Sequence, residues 1–126
     1  MEELQKIIKN AYAPYSNFKV AACVTMQDGK KFYGVNVENA SYGATICAER
    51  NAINMAIAAG YEKGDFASLT VLTEKPKVIF PCHLCRQTIV EFFDPFCDLI
   101  LLADGDKKEY KMSDIIVHPF TKKDLL

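Results

Sequence analysis

The chain lacks a surplus of charge, a long apolar run and any internal repeat, and each absence narrows what it can be. Fifteen Lys and Arg stand against sixteen Asp and Glu, a formal net charge of −1. That balance gives no electrostatic reason to bind nucleic acid, since proteins that grip phosphates cluster their Lys and Arg. The longest apolar run, Leu99 to Ala103, is far too short to span a membrane. The opening Met1-Glu2-Glu3-Leu4-Gln5-Lys6-Ile7 carries acidic residues and no apolar core, so it does not read as a signal peptide. Low-complexity tracts and linkers are also missing. What remains is 126 residues, 50% hydrophobic and 25% charged. This is the length of one domain, 1–126, that buries roughly two-thirds of its unfolded surface. Five cysteines form an odd set without a secretion signal, which argues for reduced thiols, metal ligation and a cytosolic address.

Hydrophobic periodicity predicts a helix over Glu2 to Tyr12, with Leu4, Ile7, Ile8 and Ala11 on one face and Pro14 beyond its end. Strands are expected over Lys19 to Met26 and Lys31 to Val37, joined at the turn Asp28-Gly29. Thr45 is a candidate N-cap for a helix from about Ile46 to Ala59, with Gly60 as its C′ residue. The small residues Ala48, Ala52, Ala56 and Ala59 share its apolar stripe with Met55, so this helix should be central and lie close to a sheet. A strand over Ser68 to Thr73, a loop to Pro81, a helix over His83 to Phe93 and a strand over Asp98 to Ala103 follow. A short edge strand, Lys108 to Met112, and a last helical turn capped by Ser113-Asp114 complete the reading. Strands alternating with helices imply an α/β domain of three layers, α/β/α. The early hairpin requires an antiparallel pair, so the sheet, of about five strands, should be mixed.

Two stretches carry the chemistry: Thr45-Ile46-Cys47-Ala48-Glu49-Arg50 and Phe80-Pro81-Cys82-His83-Leu84-Cys85-Arg86-Gln87. Cys82 and Cys85, one turn apart at a helix start, can grip one tetrahedral ion, and Cys47 at another helix start can supply a third sulfur. Helix N-termini favour the thiolate. Three protein ligands leave a position open, as catalytic zinc sites do, although Cys23, Cys97, His83 and His118 are candidates for a fourth. Cys23 and Cys97 read more simply as buried core thiols. Glu49, two residues past Cys47 and not a ligand, could take a proton from the metal-bound water and return it to a substrate ring and leaving amine. Its plainer reading is an acidic residue in the first turn of a helix. Three thiolates leave zinc with a net negative charge. Arg50 and Arg86 stand close enough in sequence to offset part of it from behind the ligands. Cysteine, the following Glu and a Pro-Cys-x-x-Cys turn together form the signature of zinc-dependent nucleobase deaminases. A redox pair at Cys82 and Cys85, or a structural zinc module with a fourth ligand, are the other readings of the same cysteines.

The chain resembles the small, homotetrameric cytidine deaminases. The likeness runs from Ala11-Tyr12-Ala13-Pro14-Tyr15-Ser16-Asn17-Phe18-Lys19-Val20 through Asn36-Val37-Glu38-Asn39-Ala40 and both cysteine motifs to Phe120. The resemblance implies a homo-oligomer that hydrolyses cytidine and 2′-deoxycytidine to the uridines and ammonia, with no nucleic-acid or membrane partner. It implies one zinc per chain on Cys47, Cys82 and Cys85, with a zinc-bound hydroxide attacking C4 and Glu49 shuttling protons. Asn36 and Glu38 would bind the ribose hydroxyls, Phe18 would pack on the base, and Tyr42 and the Ala40 backbone would line the pocket. Phe120 would reach into the site of a neighbouring subunit. The chain departs from the family where His83-Leu84 replaces the usual Gly-Ala, Ala21 a glycine, and Ile116-Val117 a Leu-Pro. A deoxycytidylate deaminase would need basic residues where Glu38 sits, and a polynucleotide editor would need a basic, aromatic groove.

Overall fold

The computed structural model describes residues 1–125. Five strands form one mixed sheet in the order β2-β1-β3-β4-β5: β1 Val20–Met26, β2 Lys31–Val35, β3 Phe66–Thr73, β4 Asp98–Ala103 and β5 Asp106–Lys111. The β3–β4 pair is parallel, and the other three pairs are antiparallel. Alternation along β1 shows how the layers arise. Ala21 and Cys23 face one side, with Leu72, Leu102 and, from the N-terminal helical segment, Leu4 and Ile8. Ala22 and Val24 face the other, where α2 (Ala48–Ala58) and α3 (His83–Phe92) cover the larger core around Phe66, Leu69, Ile89 and Leu99. Helix α1 (Glu2–Ile7, continued as a 3-10 turn to Asn10) therefore forms one outer layer and α2 with α3 the other. The expected three-layer α/β/α architecture with a mixed, five-stranded sheet is what the chain adopts.

Several local expectations change. Helix α2 starts later than predicted, and its N-cap is Cys47, not Thr45. Thr45 is extended (φ −62°, ψ 135°), because Ile46 pairs with Val37 and holds the chain straight up to the helix. The Thr45 hydroxyl instead accepts the Asn39 N–H at 3.2 Å. Strand β3 begins at Phe66 and β5 at Asp106, both two residues before the predicted starts. In α4 (Met112–Ile115) Lys111 is the N-cap, and Asp114 acts from the third helical position by accepting the Lys111 N–H at 2.8 Å. Gly60, with φ +100°, does follow the C-cap of α2.

The contact that seats α2 was not visible in the sequence. A Cβ on Gly34 of β2 would lie 2.5 Å from both the Ala48 carbonyl oxygen and the Ala52 nitrogen. Only a bare glycine lets the helix backbone come this near the sheet. Opposite it Ala48 and Ala52 are fully buried, which gives the stripe of small residues its purpose. Asn51 locks the seat by donating from Nδ2 to the Val35 carbonyl at 2.8 Å. At the far edge β5 is largely exposed and polar, with Lys107, Lys108, Glu109 and Lys111.

Candidate active site

Strands β2 and β3 both pair antiparallel to β1, so they run in the same direction and leave the sheet at the same end. Helices α2 and α3 begin after those exits, which brings their N-termini together. Cys47 and Cys82 are the two N-cap residues, and neither helix has a side-chain cap. The Cys47 and Cys82 sulfurs are 3.7 Å apart, and with the Cys85 sulfur all three lie within 4.8 Å of one another. Zn–S bonds of about 2.3 Å in a tetrahedron put sulfurs roughly 3.8 Å apart, so the cluster has the dimensions of a zinc site. The donor chemistry points the same way. Cys85 is fully buried, and three thiols in mutual contact can all ionise only around a cation. Contact with Cys85, then Arg50 and Cys82, lowers the Cys47 thiol to about 5 against its burial, whereas the Cys47 contact and burial push Cys85 up. The cluster can hold one zinc ion.

No other His, Cys, Asp or Glu joins this group among the described residues. Cys23 and Cys97 are buried elsewhere, with thiols raised chiefly by burial, and Cys97 donates to the Phe66 carbonyl at 3.3 Å. His83 and His118 line a separate cavity with Phe120. A zinc held here by protein groups alone would keep an open position. His83 and Leu84, the departure inside the cysteine turn, are exposed, so their bulk does not press on the metal turn.

Arg50 donates from Nη2 towards the Cys47 sulfur at 3.7 Å and to the Thr45 carbonyl at 3.4 Å, while its buried Nε has no partner. Arg86 takes another course. Its Nε donates to the Pro81 carbonyl at 2.8 Å and its Nη1 to the Ile115 carbonyl at 2.9 Å.

Beside the sulfurs opens a cleft of about 330 Å³ whose lining includes Cys47, Cys82, Glu49, Phe18, Asn36 and Glu38. Glu49 is 6% exposed, and burial pushes its carboxyl up to about 7, with the neighbouring Cys47 adding to the rise. A carboxyl poised there can accept and return a proton near neutrality. Asn36 is held on both sides: its Oδ1 accepts the Val20 N–H at 2.9 Å and its Nδ2 donates to the Phe18 carbonyl at 2.8 Å. One N–H and one lone pair of the amide stay free. Glu38 accepts the N–H groups of Tyr15 and Ser16 at 3.0 and 3.1 Å and the Ser16 hydroxyl. These bonds, led by the hydroxyl, keep its carboxyl below the ordinary carboxylate range. Tyr42 lines a groove that shares Ser16, Glu38 and Thr45 with the cleft, and its ring meets the edge of Tyr15 with centroids 6.1 Å apart. Ala40 is exposed and lines neither space. Phe120 is 56% exposed and outside the cleft of its own chain.

Ile79 and Phe80 also line the cleft, a place that the sequence reading assigned to neither. The Phe80 ring packs on Tyr110 of β5 at 5.3 Å between centroids. The apolar run Val78-Ile79-Phe80 directly before Pro81-Cys82, after Glu74, Lys75 and Lys77, was the signal available.

Comparison with known proteins agrees with this geometry. The family pattern described as the cytidine and deoxycytidylate deaminase zinc-binding region matches residues 1–96. A cytidine deaminase of Mycoplasma genitalium is 37% identical over 123 residues, 97% of this chain and 93% of that protein. A cytidine deaminase of Halalkalibacterium halodurans is 37% identical over 119 residues, 93% and 88% of the two chains. The crystal structure of cytidine deaminase from Burkholderia pseudomallei superposes with a TM-score of 0.89 at 44% identity, over 94% of each chain. Sequence relatives and solved structures thus converge on the group that the three sulfurs suggest, and the chain belongs to the cytidine and deoxycytidylate deaminase family of zinc-dependent hydrolases.

Proposed function

We propose that the chain works as a single deaminase domain that hydrolyses cytidine and 2′-deoxycytidine to uridine and 2′-deoxyuridine, releasing ammonia. The observation that carries this reading is Glu49: a buried carboxyl in the wall of the cleft, beside the three sulfurs and outside their cluster. Zinc on Cys47, Cys82 and Cys85 would supply the Lewis acidity that makes water a nucleophile near neutral pH. Glu49 takes a proton from the attacking water and delivers it to ring N3 as C4 becomes tetrahedral. It then carries the proton of the new C4 hydroxyl to the amine, which leaves as ammonia as the C4–N bond breaks and the C4 carbonyl forms. Phe18 offers an aromatic face to the base. The free N–H and lone pair of Asn36 and the remaining lone-pair capacity of Glu38 suit sugar hydroxyls. The loop through Tyr15 and Ser16 holds Glu38 in place before substrate arrives, so binding orders fewer groups. Arg50 offsets charge on the ligand sulfur of Cys47.

The cleft favours a nucleoside over a nucleotide. No Lys or Arg is among its lining residues, and Glu38 sits where an added phosphate would be repelled. Lys75 stands beside the cleft, with its Nζ over the Phe18 ring at 5.5 Å. The exposed Phe120, outside its own cleft, suits a homotetramer in which it completes a neighbour's site in trans. Unpaired cysteines and small-nucleoside chemistry fit pyrimidine salvage in the cytosol.

Pure protein incubated with cytidine, deoxycytidine and deoxycytidylate, followed by ultraviolet absorbance and ammonia release, tests the reading. Turnover of both nucleosides is expected, with deoxycytidylate poor by comparison. No turnover of cytidine by zinc-loaded protein would sink it. For the shared site, Phe120→Ala and Glu49→Ala chains refolded together should regain activity that neither has alone, and mixed oligomers without activity would refute it.

A further inference from the structure

Arg86 follows a metal-ligating cysteine, yet its side chain does not turn to the sulfurs. Both of its hydrogen bonds go to backbone carbonyls of segments remote from each other in the chain: Pro81, at the entry to α3, and Ile115, at the end of α4. The next residue repeats the gesture, for Gln87 Nε2 donates to the Phe120 carbonyl at 2.8 Å. The other anchors of this turn are apolar: Pro81 is buried and Phe80 packs on Tyr110. Cys82 is exposed and has no side-chain cap, Pro81 has no N–H to donate, and the peptide between them carries the carbonyl that Arg86 grips. A guanidinium suits the task because its planar fork reaches two acceptors at a fixed angle, which an ammonium cannot do.

We propose that Arg86 is a positioning residue that ties the metal-ligand turn Pro81-Cys82 to the C-terminal segment, so that zinc retention depends on the docking of residues 115–120. Gln87 extends the same clamp to Phe120. Fixing the Pro81–Cys82 peptide fixes the Cα of Cys82 and the direction of its sulfur towards those of Cys47 and Cys85. A freed C-terminal segment removes one anchor of the guanidinium, and the turn loosens with it. The inference rests on the zinc site and is independent of which nucleoside the enzyme accepts.

Zinc release from the loaded enzyme to a colorimetric chelator in excess measures the effect directly, with thermal melting of the same samples alongside. Arg86→Leu keeps apolar bulk and removes both donors, and should release zinc about 10- to 100-fold faster, the range found for groups that orient metal ligands. Arg86→Lys, able to reach one carbonyl, should fall between it and the unaltered enzyme. Gln87→Leu should speed release less than Arg86→Leu does. Release from Arg86→Leu at the unaltered rate overturns the proposal. So does equal acceleration in the Leu and Lys variants with equally early melting, which marks a general loosening. If Arg86→Leu fails to fold, Arg86→Lys decides: faster release at unchanged melting supports the clamp, and unchanged release refutes it. Unaltered enzyme without bound zinc would instead count against the metal site itself.

Discussion

Helix α2 reaches the metal site by backbone contact with the sheet, whereas α3 reaches it through side-chain hydrogen bonds at its first turn. At the start of α2, Gly34 admits the helix, Ala48, Glu49 and Ala52 are buried, and Asn51 locks the end of β2. At the start of α3, Cys82, His83 and Leu84 are exposed, and the turn is tied down by Arg86 and by Phe80 on Tyr110. The difference assigns the work. Glu49, the proposed proton carrier, sits on the half that close packing makes rigid, as directional chemistry needs. Of the paired cysteines, Cys82 sits on the surface open to solvent, and Cys85 is buried behind it.

The sharpest break in that comparison removes chemistry from the packed half while leaving its structure. Glu49→Gln keeps size and burial, so zinc content by elemental analysis should be unchanged while kcat falls about 10²- to 10⁴-fold, the usual contribution of a positioned acid–base group. Loss of zinc in step with activity would mean that Glu49 is a ligand or a structural residue.

Gly34→Ala attacks the seat instead. A methyl 2.5 Å from two backbone atoms of α2 must push the helix off β2, at an expected cost of about 1–3 kcal/mol of stability in denaturant titration. An unchanged midpoint would show that the helix can shift freely and that the packed half is no more rigid than the other.

Arg50→Gln tests whether charge on the sulfurs matters apart from position. Helix α2 should stay seated, and activity should fall about 10- to 100-fold. Full activity would mean that the helix N-termini alone hold the thiolates.

The smallest effect concerns Glu38. Its folded carboxyl lies below the ordinary value of 4.5, so its grip on Tyr15 and Ser16 is complete above that value and is lost as pH falls through the lowered one. Amide chemical shifts of Tyr15 and Ser16 should titrate together below the ordinary carboxylate range. A midpoint at or above the ordinary value would show that these bonds do not favour the carboxylate.

The sequence revealed the candidate metal site because Cys82 and Cys85 are one turn apart at a helix start, where spacing translates directly into geometry. Cys47 was legible because it opens another helix in Cys47-Ala48-Glu49, and Glu49 through its place beside Cys47. Alternation and small-residue stripes likewise exposed the layers. The Gly34 seat was hidden because closeness between a strand and a helix leaves no periodic mark, only one residue with no side chain. The Thr45 hydroxyl makes Thr45 the better N-cap on chemical grounds. Pairing between Val37 and Ile46 overrode that preference and left the position to a cysteine that serves the metal. The aim of Arg86 was equally hidden, since adjacency to Cys85 says nothing about which way a long side chain turns. Strand β5 began early because Asp106 and Lys107 pair with β4 through backbone groups, whatever their propensity.

That polar strand also bears on how the protein behaves at high concentration. An open sheet edge is a template on which further strands can add, the first step towards fibrils. Here the β5 edge presents Lys107, Lys108 and Lys111, and a second copy laid alongside would bring like charges together and bury them away from water. At the opposite edge the chain beyond β2 is already bridged, with Val37 paired to both Tyr12 and Ile46. Growth by strand addition is therefore discouraged along β5 and at the chain just beyond β2.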